Sequence, residues 1–256
     1  MMNDAVSKKA FVLAAGKGTR MLHLSDECPK PMLKVDNITM LDHALDALQK
    51  AGVEEVVVNT FHLAEVIEDH LANRQDLKIT ISREEELLET AGGVKKAIEF
   101  FGDEPFFVLN SDVVWTDNSE STLLSMAKNW DSDKMDLMLL MHPVETAHFY
   151  DGEGDYHLDN ECGELVFAKD QASNIKPNSV FAGPRIVHPR IFDNVEYGRR
   201  SFIELFHTAE KNGRLYGYRH NGEWFHVGTP EALEETNRIF AEKRTGAEIK
   251  AKTNSL

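Results

Sequence analysis

Cysteine is scarce in this chain, with Cys28 and Cys162 the two present among 256 residues. They form no C-x-x-C pair and no disulfide framework, so reduced thiols in a cytoplasmic protein are expected. Long apolar runs are missing too. No stretch approaches the roughly 20 apolar residues of a membrane helix, and the run near the N-terminus is too short for a signal-peptide core. Positive charge is in deficit: 28 Lys and Arg against 43 Asp and Glu leave a formal net charge of −15. Neither nucleic acid nor an anionic membrane suits such a surface. Internal repeats and long linkers are absent as well, and nothing in the sequence sets an oligomeric state.

What is present is a chain of 42% hydrophobic residues, enough for one large α/β domain over 1–244, with a polar tail, 245–256, expected to fray. AFVLA reads as a short buried strand. MLDHALDALQKAG places Leu41, Ala44, Leu45 and Leu48 at helical spacing, with Gly52 as the stop. EEVVVNT, LKITIS, PFFVLNSD and KMDLMLLMH read as strands. HLAEVIEDHLAN, GGVKKAIEFFG and ESTLLSMAKNW read as the helices between them. This alternation predicts a Rossmann-like, mostly parallel sheet with helices on both faces. Beyond residue 142 come shorter strands and turns, then a helix over SFIELFHTAEKNG and another opened by Thr229 and Pro230.

Ligands of such sheets sit beyond the carboxyl ends of the strands. Two polar clusters fall at that edge: the Gly-rich turn after the first strand, and Asn110-Ser111-Asp112. The first lies in VLAAGKGTRMLHLSDECPKPML, which gathers Lys17, Arg20 and Lys30, with Lys34 just after it, in an otherwise acidic chain. Gly16-Lys17-Gly18 is not a dinucleotide fingerprint, since Met21 stands where a third glycine belongs, and it lacks a P-loop's Gly-Lys-Ser/Thr ending. On its own it is as readily a tight turn. Its surroundings point to phosphate: glycines let backbone N–H groups approach, Arg20 and Lys30 add charge, and Pro29 and Pro31 fix the backbone around Lys30. Lys30 is read as an exposed lysine whose loss the fold would barely notice. Asp112 is open to two readings, a turn residue or a hard oxygen ligand for Mg²⁺ on a triphosphate. The run Glu84-Glu85-Glu86 reads as a solvated loop face. His62, His70, His142 and His188 make no ligand pattern.

LAAGKGTRM followed by PKPML resembles the signature of the sugar-1-phosphate nucleotidyltransferases. LLETAGGV, LNSDVVW and WFHVGTPEAL are similar to that family's later landmarks, in order, so the likeness runs from about Ala10 to Phe240. Among its subfamilies the chain looks most like the bacterial N-acetylmuramate-1-phosphate uridylyltransferases of cell-wall recycling, with the mannose-1-phosphate guanylyltransferases as near relatives. The resemblance implies a nucleotide-diphospho-sugar transferase fold, with a nucleotide-binding half over about 8–142 and a sugar-binding half over about 143–244. It implies that an NTP and a sugar 1-phosphate give an NDP-sugar and pyrophosphate. Arg20, Lys30 and Asp112 would be catalytic. Ala15, Gly16, Lys17, Gly18, Thr19, Glu89, Thr90 and Gly92 would bind the nucleotide, and Asn110, Gly154 and Gly183 the sugar substrate.

Asp112 would be the principal ligand of Mg²⁺. The family's second metal carboxylate precedes Val-Gly-Thr-Pro, where this chain has His226. That imidazole either replaces the ligand, favouring Mn²⁺ or Co²⁺, or only packs beside the site. Lys169 and Lys176 are candidates for the sugar phosphate, outside the Glu-Lys-Pro context of many relatives. By the resemblance in LLETAGGV, UTP with N-acetylmuramate 1-phosphate is expected, and GTP stays open as the guanylyltransferase alternative. So does a reading of another class, a sensor that binds nucleotide or sugar nucleotide without turnover. A dehydrogenase is disfavoured, because EEVVVNT ends its strand on Asn59 rather than a ribose-binding acid.

Overall fold

The apolar alternation of the short strands decides the architecture. In β1 (Lys9–Leu13), Ala10 and Val12 point into one core while Phe11 points into another, the two-residue period of a strand covered on both faces. The computed structural model describes residues 6–25, 28–167 and 175–253; the side chains of residues 22, 23 and 246–253 are not described. After β1 the chain runs through β2 (Lys34–Val35), β3 (Ile38–Thr39), α1 (Met40–Lys50), β4 (Glu55–Thr60), α2 (Ala64–Leu71) and β5 (Lys78–Arg83). Next come α3 (Glu89–Lys96), β6 (Phe106–Asn110), β7 (Val114–Thr116), α4 (Thr122–Asn129) and β8 (Leu137–Pro143). The second half adds β9 (Tyr156–His157), β10 (Cys162–Glu164), β11 (Val166–Phe167), β12 (Ser179–Val187), α5 (Phe202–Lys211), β13 (Leu215–Arg219), β14 (Glu223–Phe225) and α6 (Pro230–Thr253).

One sheet carries both halves, in the order β10-β13-β8-β12-β6-β1-β4-β5. Strands β6, β1, β4 and β5 are parallel, as are β8 and β13. Strand β12 runs antiparallel between β8 and β6 and joins the two parallel blocks. Helices α1, α2 and α4 cover one face and α3 and α5 the other, as the sequence pattern predicts.

Local chemistry explains the boundaries. Leu41, Ala44, Leu45 and Leu48 of α1 are fully buried, and Thr39 caps the helix by accepting from Asp42 N at 3.0 Å. Thr229 Oγ1 accepts from Ala232 N at 3.3 Å at the start of α6. Two boundaries differ from the sequence pattern. Helix α3 begins at Glu89, three residues before the GGV run, so the segment expected to meet the nucleotide is a helix start. Helix α6 continues to Thr253, well into the stretch expected to fray. That stretch is polar, but its Ala, Glu and Lys are strong helix formers, and polarity alone does not oppose a helix already begun. Both cysteines are free thiols. No helix among the described residues is long and apolar enough to cross a membrane.

The start of α3 is stitched to the segment before α5. Ala91 N and Gly92 N both donate to Arg200 O, and Arg200 N donates to Leu88 O. The approach is close enough that a Cβ on Gly92 would lie 2.3 Å from Gly198 O. Because that neighbour is backbone, it cannot swing aside. Gly92→Ala is therefore expected to cost about 1–3 kcal/mol by overpacking, read as a lower urea midpoint at an unchanged slope.

Candidate active site

Two cavities open at the carboxyl edge of the sheet, where the pattern of β1 and β6 places the polar clusters. The first, about 340 Å³, is lined by the turn after β1 (Ala14, Ala15, Gly16, Gly18), by Asn59, by Glu89 and Thr90 of α3, and by Ser201. The second, about 250 Å³, lies over the β12 side and takes in Arg20, Tyr150, Asp155, Gly183, Trp224 and His226. Lys30, Asn110 and Asp112 line both, so these three form the shared wall.

Lys30 is held there from both sides. Pro29 and Pro31 bracket it in a 3₁₀ turn, closed by Met32 N donating to Pro29 O at 2.8 Å. Gly18, at φ +63°, lies so close that a Cβ on it would sit 2.8 Å from Lys30 Cβ. The Lys30 ammonium donates to Asp112 Oδ2 at 2.8 Å. Lys30 is only 7% exposed, which corrects the expectation of an exposed lysine. Gly18 closes over its stem, so most of the side chain is packed rather than solvated. Gly16 is different: nothing lies within 4 Å of a Cβ built there, and its lack of a side chain leaves the cavity open above the turn.

Asn59 organises the first cavity, and sequence reasoning used it only to disfavour a dehydrogenase. It is buried at the end of β4, where its Oδ1 accepts from Ala14 N at 2.8 Å and its Nδ2 donates to Glu84 Oε1 at 2.7 Å. Glu84 in turn accepts from Leu88 N at 2.9 Å and is 4% exposed. The acidic run is thus not wholly a solvated face, because its first member bridges β4 to the start of α3. The edge rule that singles out Asp112 after β6 applies equally to Asn59 at the carboxyl end of β4. Glu89 takes the left-handed conformation, φ +60°, and pairs with Arg199 at 2.5 Å. Thr90 Oγ1 accepts from Phe202 N at 2.9 Å, holding the start of α5 against the cavity.

Of the other residues singled out in the sequence, Lys17 and Thr19 are exposed and line neither cavity. Gly92 is buried behind the first, and Gly154 is buried against Val144 and Pro177. Lys176 is exposed and lines neither cavity; Lys169 lies outside the described residues. Tyr150, Asp155 and Trp224, which no motif in the sequence marks individually, reach the second cavity from segments remote in the chain. Tyr150 stands edge-on to both Trp224 and His226, with centroids at 6.1 and 5.9 Å.

His226 is kept neutral. Burial pushes its pKa down first, and the positive Arg20 and Lys30 push it further. Its lone pair is therefore available, and Asp112 supplies a half-buried carboxylate on the same cavity wall. Among the described residues no three His, Cys, Asp or Glu side chains are arranged so that they could hold a metal ion by themselves. A carboxylate and an imidazole are donor types that a divalent transition ion such as Mn²⁺ accepts.

The nucleotidyl transferase family model matches residues 9–150, and the chain belongs to that family. It is 37% identical over 241 residues to the N-acetylmuramate alpha-1-phosphate uridylyltransferase of Caulobacter vibrioides, covering 92% of this chain and 98% of that one. It is 30% identical over 229 residues to the mannose-1-phosphate guanylyltransferase catalytic subunit beta of Danio rerio, covering 87% of this chain and 62% of that one. A UTP-bound UGPase from Acinetobacter baumannii shares the fold at a TM-score of 0.75 and 21% identity, covering 97% of this chain and 99% of that one.

Behind Trp224 lies a buried histidine pair, His142 Nδ1 to His220 Nδ1 at 3.0 Å. Burial, then the neighbouring His142, pushes the His220 pKa down to about 4. A depressed histidine binds its proton more readily when unfolded, so its contribution is complete above about pH 6.5 and is lost as pH falls toward 4. Urea denaturation between pH 7 and pH 4 should show this loss, at most roughly 3 kcal/mol from His220. His220→Gln should flatten the curve in that window.

Proposed function

We propose that this chain couples an NTP to a sugar 1-phosphate with release of pyrophosphate, and that its substrates are UTP and N-acetylmuramate 1-phosphate. The observation that carries the reading is the shared wall, where one ammonium, one carboxylate and one amide face two adjoining cavities. The nucleoside goes to the first cavity and the sugar to the second, so both phosphates meet at Lys30. The specific substrates rest on the likeness to the Caulobacter uridylyltransferase across nearly both whole chains.

The sugar phosphate oxygen attacks the α-phosphorus as the bond to the pyrophosphate oxygen breaks. Two anions must approach each other, so catalysis rests on positioning and charge neutralisation. Lys30 turns its ammonium from Asp112 to the two phosphates. Arg20, exposed at the mouth of the second cavity, receives the β- and γ-phosphates and the leaving pyrophosphate. Gly16 and Gly18 leave the turn open to phosphate oxygens. A divalent cation held by Asp112 and His226 would offset charge on the α-phosphate.

Lys30→Ala should lower turnover by a factor on the order of 10² to 10³, the scale of losing one transition-state donor. Because Lys30 is buried against Asp112, it should also lower the urea-denaturation stability, by about 1–3 kcal/mol. Near-normal turnover in the purified variant would remove Lys30 from the reaction. In a matrix of four NTPs against muramic, glucosamine, glucose and mannose 1-phosphates, followed by pyrophosphate release, UTP should give the highest kcat/KM. A higher value with GTP for every sugar would favour the guanylyltransferase reading, and no pyrophosphate with any pair would favour a sensor. His226→Asp should shift the preferred ion from Mn²⁺ or Co²⁺ toward Mg²⁺, since oxygen suits the harder ion. Identical metal titrations of the two proteins would take His226 out of the coordination sphere.

A further inference from the structure

Arg185 is among the largest fully buried side chains, at 1% exposure. Its Nη1 donates to Asn110 Oδ1 and to Gly183 O, both at 3.0 Å, while Nε and Nη2 have no hydrogen-bond partner. Among the described residues no carboxylate pairs with it. The guanidinium lies 4.2 Å from the Phe202 ring centroid and 5.4 Å from that of Phe181. These faces attract a cation but recover only part of its lost hydration. Burial brings its pKa down to about 9, which leaves it charged at neutral pH.

The backbone explains its aim. Arg185 pairs opposite Val108 of β6, on the face covered by α3 and α5. The β12–β8 register shifts between Phe181 and Arg185, and Gly183, at φ +110° inside that irregularity, lines the second cavity. Asn110 belongs to the wall shared by both cavities. A guanidinium offers donors only, so the Asn110 amide must turn its oxygen inward to Arg185. Its NH₂ group is then left for the cavities.

We propose that Arg185 is a positioning residue for the phosphate-bearing substrates. It ties the irregular stretch of β12 to Asn110, setting that amide as a donor toward both cavities. Its unpaired charge is offset when anions fill them. The assignment rests on the two-substrate reading above, and inorganic tripolyphosphate serves as a probe that does not depend on it.

The test compares wild type, R185M, R185K, N110A and R185M/N110A by calorimetric binding of UTP and tripolyphosphate, by steady-state kinetics and by apo melting. R185M should weaken both ligands about tenfold or more, the scale of a hydrogen bond to a charged group, and raise KM more than it lowers kcat. Its apo melting temperature should stay close to wild type, because removing an uncompensated buried charge offsets the two lost bonds. R185K should recover most of the affinity, and R185M should add little on the N110A background. A purely structural arginine would give the opposite, a large melting loss with affinity intact or a loss fully additive with N110A, and either result overturns the proposal. Should R185M fail to fold, N110A decides: tripolyphosphate affinity equal to wild type in a stably folded N110A would leave Arg185 no amide to act through, and would overturn it. A wild-type protein that binds tripolyphosphate but releases no pyrophosphate from any substrate pair would sink the enzymatic reading and leave that of Arg185 standing.

Discussion

The ion pair between Lys30 and Asp112 joins two loops that leave neighbouring strands of the sheet. Lys30 sits in a proline-bracketed turn well after β1, and Asp112 sits just past the end of β6, yet their charged atoms are 2.8 Å apart. The parallel pairing of β1 with β6 makes this possible, and Ser111 reinforces it by donating from both N and Oγ to Leu13 O. With a cavity on either side, the pair presents both signs of charge to whatever enters. An anion draws on the ammonium and a cation on the carboxylate, so one contact serves both and keeps neither charge unpaired in their absence.

Around that pair, small residues do the spacing. Gly18 closes over Lys30, Gly92 admits the segment before α5, and Gly93 leaves room for Asn59 and Glu84, whose polar atoms would lie within 2.8 Å of a Cβ there. Gly16 and Gly18, which together suggest phosphate contact in the sequence, therefore have distinct duties. Gly16 alone among these four has open space where a side chain would be. Buried polar groups form the next shell: Asn59 with Glu84 behind the first cavity, and Arg185 with Asn110 between the two.

Much of the fold was legible because its strands and helices differ in period. A three-valine run such as Val56–Val58 and the 3–4 spacing of Leu41, Ala44, Leu45 and Leu48 leave little room for another assignment. The end of β6 and the turn after β1 also announced themselves, since ligands of such sheets gather at that edge. The reach of α6 is not legible in the same way, because a polar stretch reads as fraying although helix propensity does not depend on apolar character. The start of α3 was missed because GGV marks its packed middle, not its cap.

By itself, the sequence determined the order of strands and helices, the carboxyl-edge position of the polar clusters and the placing of Lys30 between two prolines. These follow from local spacing and backbone restriction, which act over a few residues. Tertiary structure alone decided that Lys30 is buried on Asp112, that Glu84 is a strut rather than a solvated acid, and that Arg185 lies uncompensated beneath Asn110. Each depends on contacts between residues 25 to 82 positions apart, and burial at such a distance is set by how the strands pair. No local pattern records it.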